Sequence, residues 1–151
     1  MGASETPDAA ELSSLHRRAF EGGAPRFWTV EEFARILRDE SVSVIHQRNS
    51  STTELIGFIA VICVFDEAEI LTLAVEPKHW GQKIARNLLV SVEMQLRSRG
   101  VTSIVLEVAE NNMRAQNLYQ NSGFERFGIR RKYYRINGNT LDAITMRRIL
   151  E

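Results

Sequence analysis

The chain has 151 residues, enough for one domain, expected over residues 1–151, that buries roughly 70% of its unfolded surface. Its 19 basic and 19 acidic residues balance to a formal charge of zero, which stands against broad binding to nucleic acid or to a membrane surface. The single cysteine, Cys63, excludes an internal disulfide and suits a reducing, cytoplasmic setting.

Cys63 lies in the apolar run LIGFIAVICVF, where a buried, inert thiol is expected. That run, Leu55 to Phe65, falls short of the ~20 apolar residues a membrane-spanning helix needs. The opening stretch MGASETPDAAEL has neither the basic nor the apolar part of a secretory leader, so no membrane association is expected.

In chain order, Pro7 and Asp8 predict the start of a helix with Leu12, Leu15, Ala19 and Phe20 on one face, broken by Gly22, Gly23 and Pro25. The aromatic pair Phe27-Trp28 follows, and Thr29 with Glu32 makes a capping box for a helix that turns Phe33, Ile36 and Leu37 inward. Val42, Val44 and Ile45 suggest a strand, Asn49 to Thr53 a polar hairpin loop, and Leu55 to Phe65 a β-prone run. Asp66-Glu67 turns the chain back into a buried strand, Ala68 to Val75.

Pro77 and Gly81 then form a turn, and an amphipathic helix is predicted from about Gln82 to Arg99, ended by Gly100. Thr102 to Ala109 is a further strand, Asn112 caps a short helix that stops at Gly123, and Phe124 to Ile129 and Asp142 to Ile149 close the chain as an antiparallel pair. The order predicts an α/β (α+β) fold: a mixed, mostly antiparallel sheet with one parallel strand–helix–strand unit and helices on both faces.

The parallel unit concentrates the chemistry. Its turn, WGQKIA, aims free backbone N–H groups and the positive end of a helix dipole beyond the preceding strand, which suits a phosphate group. Ligands of such sheets bind beyond the carboxyl ends of the strands, so that turn, the tail of Leu73-Ala74-Val75 and the tail of LEVAEN are expected to meet. Glu107, embedded among apolar residues there, either faces solvent by simple alternation or has a partner or a task. The helix after it brings Tyr119 toward the same crevice, unless that ring is only a core aromatic. A carboxylate and a phenol beside a phosphate-binding turn suit acyl transfer, one accepting a proton from an amine and the other donating to a departing thiolate.

Across Ile70 to Phe124, the strand ending LAVEP, the segment WGQKIARNLL, the strand LEVAENN and the helix RAQNLYQNSGFE together resemble the core of the GNAT superfamily of N-acetyltransferases. The closing FGIRRKYYRINGNTLDAITMRRIL and the early HRRAFEGGAPRFWTVEEF are similar to those of RimI-type ribosomal-protein alanine N-acetyltransferases. The resemblance implies direct transfer from acetyl-CoA to an amine, with Glu107 matching the general base and Tyr119 the general acid. Leu73, Ala74 and Val75 match the strand that pairs with the pantetheine arm. Gly81, Gln82, Lys83, Ile84, Ala85 and Arg86 match the pyrophosphate turn, and Asn112 a side chain that contacts the cofactor.

The acceptor so implied is the N-terminal alanine of a small-subunit ribosomal protein. Separately, no direct nucleic-acid or membrane partner is expected, and the protein is expected to be a monomer or weak homodimer. Trp28, Tyr133 and Tyr134 suit a channel for a peptide terminus, or else ordinary packing. His16, His46 and His79 lack metal-ligand spacing, and no metal is expected. Two alternatives stay open: the same fold acting on a free amino acid, polyamine or lysine, and a non-catalytic acyl-CoA-binding module. Trp80 and Lys83 depart from the family pattern, in which Gln or Arg and then Gly stand at those places, so a weaker or differently shaped cofactor site is expected.

Overall fold

The computed structural model describes residues 5–20, 28–136 and 138–150. The break expected at Gly22, Gly23 and Pro25, with Phe27, lies outside the described residues. Helix α1 spans Ala9–Ala19 and α2 Val30–Arg38, and each begins with a reciprocal capping box, Asp8 with Glu11 and Thr29 with Glu32. Both satisfy backbone N–H groups that would otherwise have no partner in the first turn.

Strands β1 (Val42–Arg48), β2 (Leu55–Val64) and β3 (Glu67–Val75) form an antiparallel meander. After one 3₁₀ turn at Pro77–His79, helix α3 (Ile84–Ser98) crosses over to β4 (Ser103–Ala109), which runs parallel to β3. Helix α4 (Met113–Asn121) and the hairpin β5 (Glu125–Ile136) and β6 (Asn139–Ile149) complete the chain. The sheet has six strands in the order β1-β2-β3-β4-β6-β5. The expected mixed sheet with one parallel pair is therefore the observed one.

Several boundaries differ from the sequence expectation, each for a local reason. Helix α3 starts at Ile84 rather than Gln82, because Lys83 adopts a left-handed conformation (φ 64°) that a helix cannot include. The closing hairpin is longer than expected. Its β5 strand is irregular between Arg130 and Tyr134, which hides the strand from any strict two-residue pattern.

Two apolar layers flank the sheet. On one face α3 packs its stripe of Ile84, Leu88, Leu89, Val92 and Leu96 over the strands, joined by Tyr119 of α4 and by Phe124. On the other, Leu12, Leu15 and Phe33 of α1 and α2 cover Leu55, Phe58 and Ala74. Phe33 and Phe58 meet edge to face with centroids 5.6 Å apart, and each such buried ring contributes roughly 1.5–3 kcal/mol. Cys63 is half-buried rather than fully enclosed and packs against the α3 layer. No described helix is long and apolar enough to cross a membrane.

Candidate active site

The site begins where the sheet comes apart. β3 and β4 are paired only at Glu67 with Ser103, Ala68 with Ile104 and Glu69 with Val105. Beyond that rung β3 runs on to Val75 and β4 to Ala109 without a shared ladder, so their facing edges border a gap. A bulge helps to divert β3: Ala60 pairs with Thr72 and Val61 with Ile70, which leaves Leu71 as the extra residue. Buried unpaired backbone is costly, and a fork of this kind is stable only where solvent or a ligand can reach the strand edges.

The gap opens into a cleft of about 1330 Å³. Its lining includes Leu73, Ala74 and Val75 of β3, Gly81, Lys83, Ile84, Ala85 and Arg86 of the turn and α3, Glu107 of β4, and Asn112 and Tyr119 of α4. Trp28, Tyr133 and Tyr134 line it as well. The structure thus brings together every predicted site residue except Gln82. The Gln82 side chain turns to the His79 ring (Oε1 to Nδ1 3.1 Å) and faces a separate, smaller cavity.

The turn is built to leave donors free. Gly81 (φ 84°) and Lys83 (φ 64°) both take left-handed backbone, and α3 starts with no side-chain cap and no acidic residue in its first turn. Its leading N–H groups are therefore available at the positive end of the helix dipole, a donor set that fits a pyrophosphate. Gly57 of β2 lets this helix sit close, since a Cβ there would lie 2.9 Å from the Ile84 Cγ2. Trp80 donates its indole N–H to the Val75 carbonyl (2.8 Å), and the Arg114 guanidinium stacks 3.6 Å above the Trp80 ring. This stack joins the turn to α4 at one side of the cleft.

By alternation along β4, Leu106 and Val108 enter the α3 layer and Glu107 points to the other face. Tyr119 lies in the α3 layer, edge-on to Phe124 at 5.5 Å. The carboxylate and the phenol approach from opposite faces of the sheet and share one cleft because the strands have parted. Glu107 accepts an ion-paired hydrogen bond on Oε1 from the Arg130 Nη1 at 2.7 Å, whereas its Oε2 is buried with no hydrogen-bond partner. Burial pushes the Tyr119 phenol well above its ordinary 10, and burial followed by the Glu107 charge pushes Tyr134 up to about 12. Both phenols are thus fully protonated at neutral pH. The Asn112 side chain caps α4 by accepting from the Ala115 N–H (3.1 Å), so its lining role comes with a structural one.

Sequence reasoning missed two charged groups. Arg130 reaches Glu107 because β5 carries extra residues between Arg130 and Tyr134, and it also stacks 4.0 Å over the Tyr133 ring. Glu69 lines the cleft from the last shared rung. The alternation of AEILTLAV hints at Glu69 only if the register to β4 is known. Among the described residues, no three His, Cys, Asp or Glu side chains gather to hold a metal ion.

The profile described as the acetyltransferase (GNAT) family matches residues 9–124. N-alpha-acetyltransferase RimI of Mycobacterium tuberculosis is 34% identical over 152 residues, covering 98% of this chain and 90% of that protein. The ribosomal protein bS18-alanine N-acetyltransferase of Escherichia coli K12 is 31% identical over 119 residues, 79% of this chain and 78% of the relative. A crystal structure of the ribosomal-protein-S18-alanine N-acetyltransferase from Escherichia coli superposes with a TM-score of 0.86 at 29% identity, over 99% of this chain and 92% of that one. Arabidopsis thaliana NAA60 in complex with acetyl-CoA shares the fold (TM-score 0.80, 21% identity, 95% and 93% coverage). The reading as a non-catalytic binding module gives way to these relationships: the chain belongs to the GNAT family and is a RimI-like, acetyl-CoA-dependent N-acetyltransferase.

Proposed function

We propose that the protein acetylates the N-terminal α-amine of another protein, most specifically the N-terminal alanine of a small-subunit ribosomal protein. The observation that carries the chemistry is the meeting of Glu107 and Tyr119 in one cleft at the fork between β3 and β4. The choice of acceptor rests on the RimI-named relatives and the alanine acetyltransferases among them.

In this reading the edge of Leu73-Ala74-Val75 and the first turn of α3, with Lys83, would hold acetyl-CoA, which supplies an activated acetyl thioester. An α-amine has a pKa near ~8, so removing its proton at neutral pH needs only a modest base. Glu107 takes that proton, directly or through a water, with Arg130 holding the other end of its carboxylate. The Tyr119 phenol is a weaker acid than a thiol and gives up its proton only once thiolate charge has formed. Trp28, Tyr133 and Tyr134 present rigid rings along the path of an extended peptide terminus.

The test is transfer from acetyl-CoA to a peptide carrying the alanine N-terminus of the organism's own ribosomal protein, in competition with spermidine, free amino acids and an internal lysine. Preference for the alanine peptide is expected. Glu107→Gln with Tyr119→Phe should lower turnover by roughly 10²–10⁴-fold, the usual range for lost acid–base groups. Wild-type turnover in that double variant overturns the assigned roles, and preference for another amine overturns the acceptor.

A further inference from the structure

We propose that Glu69 receives the positively charged amine of the acceptor, holding it at the closed end of the fork beside Glu107. The inference deepens the acceptor reading above and rests on it. Glu69 stands opposite Val105 on the last paired rung of β3 and β4, and Glu107 is two residues further along β4. Residues in register point to the same face, and residues two apart on a strand do likewise, so the two carboxylates flank the point where the strands part. Both line the cleft.

Their partners differ. Glu107 is half neutralised by Arg130 at 2.7 Å, while its Oε2 is buried without a hydrogen-bond partner. The Glu69 backbone is paired in the sheet, but its side chain has no hydrogen bond or ion pair among the described residues. The charges that act on Glu69 are those of Glu107, Arg130 and Glu67, so carboxylates outnumber guanidinium groups at this end of the fork. Burial, and next the charge of Glu107, holds the Glu69 carboxyl above its ordinary range, which places the two groups within electrostatic reach of each other. An ammonium seated between them relieves that repulsion and satisfies the orphan oxygen.

The reaction fits this arrangement. The acceptor arrives as an ammonium and loses one proton to Glu107. Its nitrogen forms the new C–N bond as the C–S bond of the thioester breaks. The departing thiolate takes a proton from Tyr119, the second proton from the nitrogen restores that phenol, and the proton held by Glu107 is the one released overall. The product amide is uncharged. The hold of Glu69 therefore acts on the substrate and ends with the transfer, which favours release of the acetylated peptide.

The experiment uses the full chain with Glu69→Gln, Glu69→Ala and Glu69→Asp, the alanine peptide and its acetylated form, and acetyl-CoA. Losing a hydrogen bond to a charged group corresponds to about 10–100-fold, so KM for the peptide is expected to rise at least about tenfold in Glu69→Gln and Glu69→Ala. The kcat and the KM for acetyl-CoA should stay within about twofold, Glu69→Asp should recover part of the loss, and affinity for the acetylated peptide should match the wild type. A peptide KM unchanged within about twofold overturns the proposal. So does an equal loss of affinity for the acetylated peptide, because a purely structural role would weaken both. If the wild type instead prefers another amine, the alanine reading fails on its own, and the Glu69 variants are judged by the same rise in KM for that amine.

Discussion

Lys83 holds a backbone conformation that its side chain disfavours, φ 64° at the residue before α3, in a position where the family uses glycine. Left-handed backbone costs an L-residue about 1–2 kcal/mol, and glycine avoids this at an entropic cost of roughly 0.5–1 kcal/mol in the unfolded chain. Lys83→Gly is therefore expected to raise unfolding free energy by about 0.5–1 kcal/mol, measured by urea denaturation. The free protein already has the strained turn, so binding acetyl-CoA requires no new backbone change there. The substitution then removes only a charge from the cleft. Affinity for acetyl-CoA should fall a few-fold at low ionic strength, and titration calorimetry should show the gap closing as salt screens the pair. A difference that persists at high salt would assign Lys83 a packing role instead. Trp80 departs from the pattern differently, spending its indole on the Val75 carbonyl and its ring face on Arg114. Neither arrangement was legible in WGQKIA, because motif spacing reports where a side chain starts and not what it reaches.

At the scale of elements, capping chemistry made α1, α2 and α4 readable, since Asp8, Thr29 and Asn112 each bond the backbone within their own first turn. Such contacts are local, and local sequence encodes them. The start of α3 was less legible because nothing caps it: it is positioned by a neighbour distant in sequence, Gly57 of β2. A Cβ at Gly57 would sit 2.9 Å from the Ile84 Cγ2 and 3.2 Å from the Leu88 Cδ1. The first of these methyls is on a β-branched side chain with little rotamer freedom, so the helix itself must move. Gly57→Ala is expected to lower stability by about 1–3 kcal/mol through overpacking. It should also weaken acetyl-CoA binding in proportion to the displacement of the first turn of α3. Paired urea and calorimetric measurements check both effects. Loss of stability with unchanged affinity would mean that the first turn of α3 does not contact the cofactor.

For the whole molecule, hydrophobic patterning sufficed to order the elements, place one parallel pair and set helices on both faces. It did not reveal how soon β3 and β4 part, because Ile70 to Val75 and Leu106 to Ala109 are as apolar as strands that stay paired. The two apolar layers share β2 and β3, so the fork is held open between cores that fold together rather than at a loose edge. The Arg18 Nε reinforces it from outside the sheet, pairing with the buried Glu76 just past the end of β3 at 2.7 Å. Such a molecule has much of its backbone protected by ladders and cores, and an internal pair of strand edges at the fork left to solvent or a ligand. Hydrogen exchange should therefore show fast exchange at those amides of 70–75 that face the gap in the free enzyme, set against slow amides in the middle of β2, to which the alternate amides of 70–75 are bonded. Acetyl-CoA at about 100 times its Kd contributes about 2.7 kcal/mol, which for a chain of this size raises the melting midpoint by roughly 5–11 °C. The accompanying protection should be confined to 70–75 and the first turn of α3, with β1 and the outer edge of β5 unchanged. A thermal shift of that size with protection spread evenly over the sheet would mean that the cofactor tightens the whole fold instead of filling the fork.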